Sequence, residues 1–172
     1  MHGDGERKGH SNRVFCCKYL SDVEMVTGGW DKNIFLWDLR MSRVARHYHG
    51  PNIVGDSIDV KGDMLIAGSH EITDQIEFYS MSDGRKVDSV TLPGASPCMP
   101  YTAQFSKSDF GSIYAVAGEG GNECHFFNSA TKTKFAEFTN LPRAIYSVDF
   151  ANNRNYFALG SGDGSIRVFN VR

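Results

Sequence analysis

The sequence predicts an all-β protein built from one four-stranded unit repeated along the chain. Three observations predict it. Short runs rich in β-branched and aromatic residues, such as "RVFCCKY", "NIFLWDL" and "SIYAVAG", recur throughout, separated by Gly, Asn, Asp, Ser and Pro clusters. No segment sustains a helical period of apolar residues over roughly ten positions. An aromatic residue stands before the final polar residue of four of these runs, at Trp37, Tyr79, Phe127 and Phe169, at spacings of 42, 48 and 42 residues. Four strands in about 40–50 residues is the pattern of a β-propeller blade.

Each unit follows in order. The first, about residues 9–50, offers "RVFCCKY", "EMVTGG", "NIFLWD" and "SRVARHYH" as strands. The second, about 51–94, opens with a strand and polar turn in "DVKGDML", pairs "DMLIAGS" with "QIEFYS" and adds "RKVDSVTL" outside them. The third, about 95–138, reads "YTAQFS", "SIYAVAG", "ECHFFN" and "TKFAEF". The fourth, about 139–172, has "IYSVDF", "YFALGS" and "SIRVFN", and then the sequence ends. Residues 1–8 form a polar segment ahead of the repeats. Neighbours on a strand point to opposite faces, so Cys16 and Cys17 are expected to divide between core and the next blade or layer. With Cys98 and Cys124 they form no CxxC pair, and all four are expected to be free thiols in a reducing compartment.

The first unit resembles the WD-repeat family of β-propellers. Gly9-His10 opens it, Trp37-Asp38 closes its third strand, and Asp31 sits in the turn between. Later units keep the phase but end in "YS", "FN" and "FN". The resemblance covers residues 9–172 and implies a propeller of four blades of four-stranded antiparallel sheet. The last blade lacks its outer strand, which leaves an open or partial ring. It also implies a buried hydrogen-bonded set: His10, Thr27, Asp31 and Trp37.

The same resemblance implies that partners meet the loops entering the first strands and the turns between second and third strands. That surface would carry Asn12, Arg13 and Trp30, then Asn52, His70 and Glu71, then Met99, Tyr101 and Glu119, and finally Arg143, Tyr146 and Gly162. Trp30, in a tight turn beside Asp31, is the leading contact residue among them. Residues 25–40 are also similar to the box of WD-repeat substrate receptors of cullin–RING ubiquitin ligases, with Met25 a mild departure. There Asp38 and Arg40, within Trp-Asp-x-Arg at 37–40, would meet the damaged-DNA-binding adaptor subunit.

Several function classes are disfavoured. Eighteen basic and twenty acidic residues, a net charge of -2, argue against broad electrostatic binding to nucleic acid or anionic membrane. The polar start "MHGDGERKGH" is no signal peptide, and no apolar run reaches the roughly 18 residues that span a bilayer. A soluble cytoplasmic or nuclear protein is expected. Thr27, His10 and Asp31 have the composition of a catalytic triad, but the resemblance places them inside a blade, so no catalytic residue is assigned. His47 with His49, and Cys124 with His125, lack a second ligand pair, so no metal or cofactor is expected. "GEGG" and "GSGDG" join strands rather than opening a helix, unlike a nucleotide loop. A channel enzyme would draw on Asp56, Asp59, Gln104 and Asp149, with no matching His.

The units total fifteen strands, and the polar N-terminal segment is a poor candidate to complete the last blade. The chain is therefore expected to be part of a ring, whether a piece of a longer propeller or one half of an eight-bladed pair with isologous contacts. The expected function is a non-catalytic scaffold or adaptor that binds other proteins through propeller faces. A ubiquitin-ligase substrate receptor is the alternative, and a propeller enzyme the third reading.

Overall fold

The computed structural model describes residues 9–93, 96–107, 112–152 and 156–170. The expected polar segment 1–8 and the last two residues lie outside them. Hairpins dominate because the linkers are short and turn-forming, so each strand pairs with the next in sequence. The first sheet is β1 (Val14–Tyr19), β2 (Glu24–Gly29), β3 (Asn33–Asp38) and β4 (Arg43–His49). The second is β5 (Ile58–Lys61), β6 (Met64–Gly68), β7 (Ile76–Ser80) and β8 (Lys86–Val90). The third is β9 (Met99–Phe105), β10 (Ile113–Glu119), β11 (Cys124–Asn128) and β12 (Lys134–Phe138). The fourth holds β13 (Ile145–Phe150), β14 (Tyr156–Ser161) and β15 (Ile166–Asn170). All pairings are antiparallel and the sheets form the four blades of a β-propeller, as the repeat predicts.

The repeat is visible in the backbone itself. Five residues before each signature aromatic, the turn residue takes a left-handed conformation: Lys32 (φ 58°), Asp74 (φ 49°), Asn122 (φ 50°) and Gly164 (φ 78°). A β-bulge falls at the signature position in the first three sheets, between Leu36 and Trp37, Phe78 and Tyr79, and Phe126 and Phe127. A bulge adds twist, and its recurrence gives these three sheets the same bend.

Three apolar cores lie between successive sheets. Val26, Ile34, Leu36 and Tyr48 pack on Ile58, Leu65, Ala67 and Tyr79. Ile66, Ile76 and Phe78 pack on Phe105, Tyr114, Val116 and Phe127. Ala115, Cys124 and Phe126 pack on Val148, Phe150, Phe157 and Leu159. Every joint sets the forward face of one sheet against the rear face of the next. Cys16 faces the first joint and is buried, whereas Cys17 points to the rear face of the first sheet and is exposed. The expectation that both would be covered by protein thus holds only for Cys16, because no sheet among the described residues lies against the other side. All four cysteines are free.

Candidate interaction surface

The first sheet assembles the polar set from three elements. His10 precedes β1, Thr27 lies on β2, Asp31 is in the β2–β3 turn and Trp37 is on β3. His10 Nδ1 is 3.0 Å from both Asp31 oxygens, and its Nε2 is 2.7 Å from Thr27 Oγ1. The Trp37 indole N–H donates to the same Thr27 oxygen at 2.8 Å. Asp31 also accepts the backbone N–H groups of Ser11 and Asn33, at 2.9 and 3.2 Å. Burial pushes the Asp31 carboxyl up, but hydrogen bonds from His10, Ser11 and Asn33 outweigh it and hold the group below its ordinary range. The network is closed in the sense that favours a buried polar cluster, with its members bonded to one another.

The connectivity Thr–His–Asp matches a catalytic triad, but the hydroxyl is bound on both sides, by His10 and by the Trp37 indole. A small cleft nearby is lined by Gly9, Ser11, Asp31, Asn33, Phe35 and His49, and neither Thr27 nor His10 reaches it. A nucleophile needs a hydroxyl open to a reacting atom, and this one is already held by two partners. In the fourth sheet Asp163 holds its own turn through Ser165 and Arg167, at 3.0 and 2.7 Å, while Leu159 occupies the position of Thr27.

Contact candidates gather on the edge formed by the first-strand entries and the second-to-third-strand turns. The His70 and Tyr101 rings lie 5.0 Å apart, and Tyr101 and Tyr146 4.8 Å apart, a band of rings across three sheets. His70 Nε2 is 2.9 Å from Glu119. Burial and a hydrogen bond to Glu119 push the Tyr101 hydroxyl up to about 12, so it stays a donor at neutral pH. Arg143 is exposed and its Cβ borders Gly162, against which the Tyr146 ring also lies. Arg13 and Trp30 form a separate pair on the first sheet, with the guanidinium 4.9 Å above the indole. Phe15 lies 5.0 Å from the same ring, and Trp30 remains 40% exposed. Lys32 reaches across to Glu71 at 2.9 Å and ties the first two turns together.

At the opposite edge, Arg40 is exposed and clasps Asp38 through both Nε and Nη2, at 3.2 and 3.0 Å. Hydrogen bonds and charge from Arg40 hold the Asp38 carboxyl below its usual range. In the centre, Lys18 bridges Asp59 and Gln104, each at 3.1 Å, and Gln104 donates to Asp56 at 2.9 Å. Lys107 pairs with Asp149 at 2.5 Å. Lys18 and Lys107 were not anticipated from the sequence, although Lys18 sits two residues after the core residue Cys16. They pair with Asp59 and Asp149, two of the three carboxylates that the channel-enzyme reading would need, while Asp56 is bonded by Gln104. Cys124 and His125 also separate: His125 is buried against Glu123 at 2.9 Å, whereas Cys124 faces the third joint. Burial lowers the His125 pKa.

Comparison with known proteins agrees with this geometry. Residues 5–38 and 137–170 match the family "WD domain, G-beta repeat". The chain is 27% identical over 171 residues to mitogen-activated protein kinase kinase kinase A of Dictyostelium discoideum, covering 95% of this chain and 17% of that protein. It is 28% identical over 113 residues to WD repeat-containing protein 21 of Schizosaccharomyces pombe, covering 62% of this chain and 26% of the relative. The matches thus span only 17% and 26% of the length of these curated relatives. Among solved structures, the computationally designed Ika4 protein shares the fold at 17% identity, with a TM-score of 0.74 over 95% of this chain and 94% of that one.

Proposed function

We propose that this chain, a WD-repeat β-propeller protein, is a non-catalytic interaction scaffold that binds protein partners at its turn edge. The observation that carries the reading is the band His70–Tyr101–Tyr146, which crosses three sheets, with Glu119 bonded to its first member. Rings held by a rigid scaffold lose little conformational freedom on binding and make efficient contacts. Trp30 with Arg13, and Arg143 beside Tyr146, extend the same edge. WD-repeat propellers generally bind other proteins, and the polar set in the first sheet reads as structural because its hydroxyl is fully engaged. No helix among the described residues is long and apolar enough to cross a membrane. A cytoplasmic or nuclear site of action goes with this reading.

The test compares proteins captured by the wild-type chain with those captured by Tyr101→Ala/Tyr146→Ala and Trp30→Ala variants, with folding checked by circular dichroism. Partners lost on ring removal support the turn edge. A partner set unchanged by every variant rejects it.

A second reading rests on Arg40, an exposed guanidinium oriented by Asp38 at the opposite edge. It makes the chain a substrate receptor docking through its Trp-Asp-x-Arg box. Purified damaged-DNA-binding adaptor that binds the wild type and not Arg40→Ala supports this reading. No binding to either form removes it.

A further inference from the structure

The first strands of three sheets carry a β-bulge at the same place, and each bulge residue is aromatic. Phe15 stands between Val14 and Cys16, Tyr101 between Pro100 and Thr102, and Tyr146 between Ile145 and Ser147. A bulge re-aims its extra side chain. Here the three rings meet residues of the turn edge: Phe15 meets Trp30, Tyr101 meets His70, and Tyr146 lies against Gly162. In the second sheet the pairing of Gly68 with Ser57 gives this place to Asp56, which is exposed.

Charge singles out the stretch around Tyr101. Asp56 accepts the Cys16 thiol at 3.4 Å and the Gln104 amide at 2.9 Å. Glu119 accepts the Tyr101 hydroxyl and lies 2.9 Å from His70 Nε2. Elsewhere Asp59, Glu71, Asp88 and Asp149 each meet a lysine within 3.1 Å. Among the described residues no lysine or arginine bridges Asp56 or Glu119, so both are held in place with their charge left for another group. They belong to the second and third sheets, which have a sheet on either side, so no chain end accounts for their exposure.

The first sheet displays the kind of group that suits such rings. There Arg13 lays its guanidinium 4.9 Å above Trp30, beside Phe15. Tyr101 and Tyr146 have no such cation above them among the described residues, and Tyr146 is 52% exposed. A Cβ at Gly162 would come within 2.9 Å of the Tyr146 ring, so glycine keeps that side clear. Arg143, whose Cβ also borders Gly162, adds a positive charge at the fourth-sheet end of the band.

We infer that Tyr101 and Tyr146, with Asp56 and Glu119, receive a basic side chain, an arginine or lysine in an exposed segment of a protein partner. Its apolar stem lies along the tyrosine rings, and its head group meets the ring faces and the carboxylates. This inference rests on the turn-edge reading and names the chemistry of the partner bound there.

The experiment is a proton–nitrogen correlation NMR titration of the full 172-residue chain with the peptide acetyl-Ser-Gly-Arg-Gly-Ser-amide. Parallel titrations use peptides with lysine, citrulline or glutamate at the centre. Citrulline keeps the shape of arginine without its charge. The arginine and lysine peptides are expected to shift the amide signals of Tyr101, Glu119 and Tyr146 saturably, and the citrulline and glutamate peptides to leave them in place. Glu119→Gln and Asp56→Asn, which keep shape and acceptor atoms, should each weaken binding about tenfold. Asp83→Asn makes the same charge change at the opposite edge and should leave binding unaltered.

An arginine peptide that shifts nothing overturns the proposal, as does a citrulline peptide that binds equally well. Equal weakening by Asp83→Asn overturns it in favour of diffuse attraction, and preferred binding of the glutamate peptide in favour of an acidic partner. If any of these occurs while Tyr101→Ala/Tyr146→Ala still loses captured partners, the turn-edge reading stands and only its basic ligand falls. Capture unchanged by the ring variants removes the turn-edge reading itself.

Discussion

The first and fourth sheets meet the same architectural demand with different chemistry. Around Trp37 the first sheet builds a polar chain, Trp37–Thr27–His10–Asp31, on a rear face that no sheet among the described residues covers. Around Phe169 the fourth builds an aromatic cluster. Phe169 stacks 5.1 Å from Phe157, and Phe138 of the third sheet lies 4.3 Å from Phe169. The difference teaches that the polar set is not what makes the strand arrangement, since the fourth sheet takes the same left-handed turn and the same consecutive strand order without it. Where a neighbour covers the rear face, apolar burial suffices. In the first sheet directional hydrogen bonds fasten the sheet to its leading segment at His10 and Ser11.

The largest expected effect tests the aromatic side. Phe157→Ala removes a ring that touches Phe126, Phe138, Phe150 and Phe169, and should cost about 3–5 kcal/mol by denaturant unfolding. A loss below about 1 kcal/mol would mean that the fourth sheet is held by something else. Next is Thr27→Val, which keeps the shape but strips partners from the Trp37 indole and from His10. Two buried polar groups left unpaired should cost about 2–4 kcal/mol, and an unchanged midpoint would deny the network its structural role.

A pH titration sharpens the contrast. Asp31 is held below the ordinary carboxylate range by its donors. Its contribution is therefore complete above that range and lost as the pH falls through the lowered value in the folded protein. Asp31→Asn should flatten the acid limb of the stability curve, whereas Phe157→Ala should lower the curve without changing that limb. The smallest effect compares the two turns. Lys32 and Gly164 occupy the same left-handed position. Lys32→Gly should gain less than about 1 kcal/mol, and Gly164→Ala should lose about 1 kcal/mol. Equal signs would show that the two turns are not equivalent.

Much of this was legible in the sequence. The signature aromatics marked all four third strands, and "GSGDG" and Asp31 marked turns between strands that the structure contains. The set His10, Thr27, Asp31 and Trp37, placed by resemblance, comes together within hydrogen-bonding distance. His70, Tyr101 and Tyr146 were placed on one edge, but that their rings would touch was not readable, since each comes from a different sheet. Lys18 and Lys107 escaped notice because a lysine on or just past an inner strand looks like any exposed charge until its acidic partner arrives from another sheet.

By itself the sequence determined the strands, their order and their turns, because hairpin pairing is local and depends on residues only a few positions apart. Tertiary structure decided which of two chemically similar faces is covered. Ile34 and Ile166 hold equivalent places on equivalent strands, yet one is buried and the other exposed. The reason lies outside both strands. Burial belongs to the joint between sheets, and a joint needs a neighbouring face that alternation along a single strand does not encode.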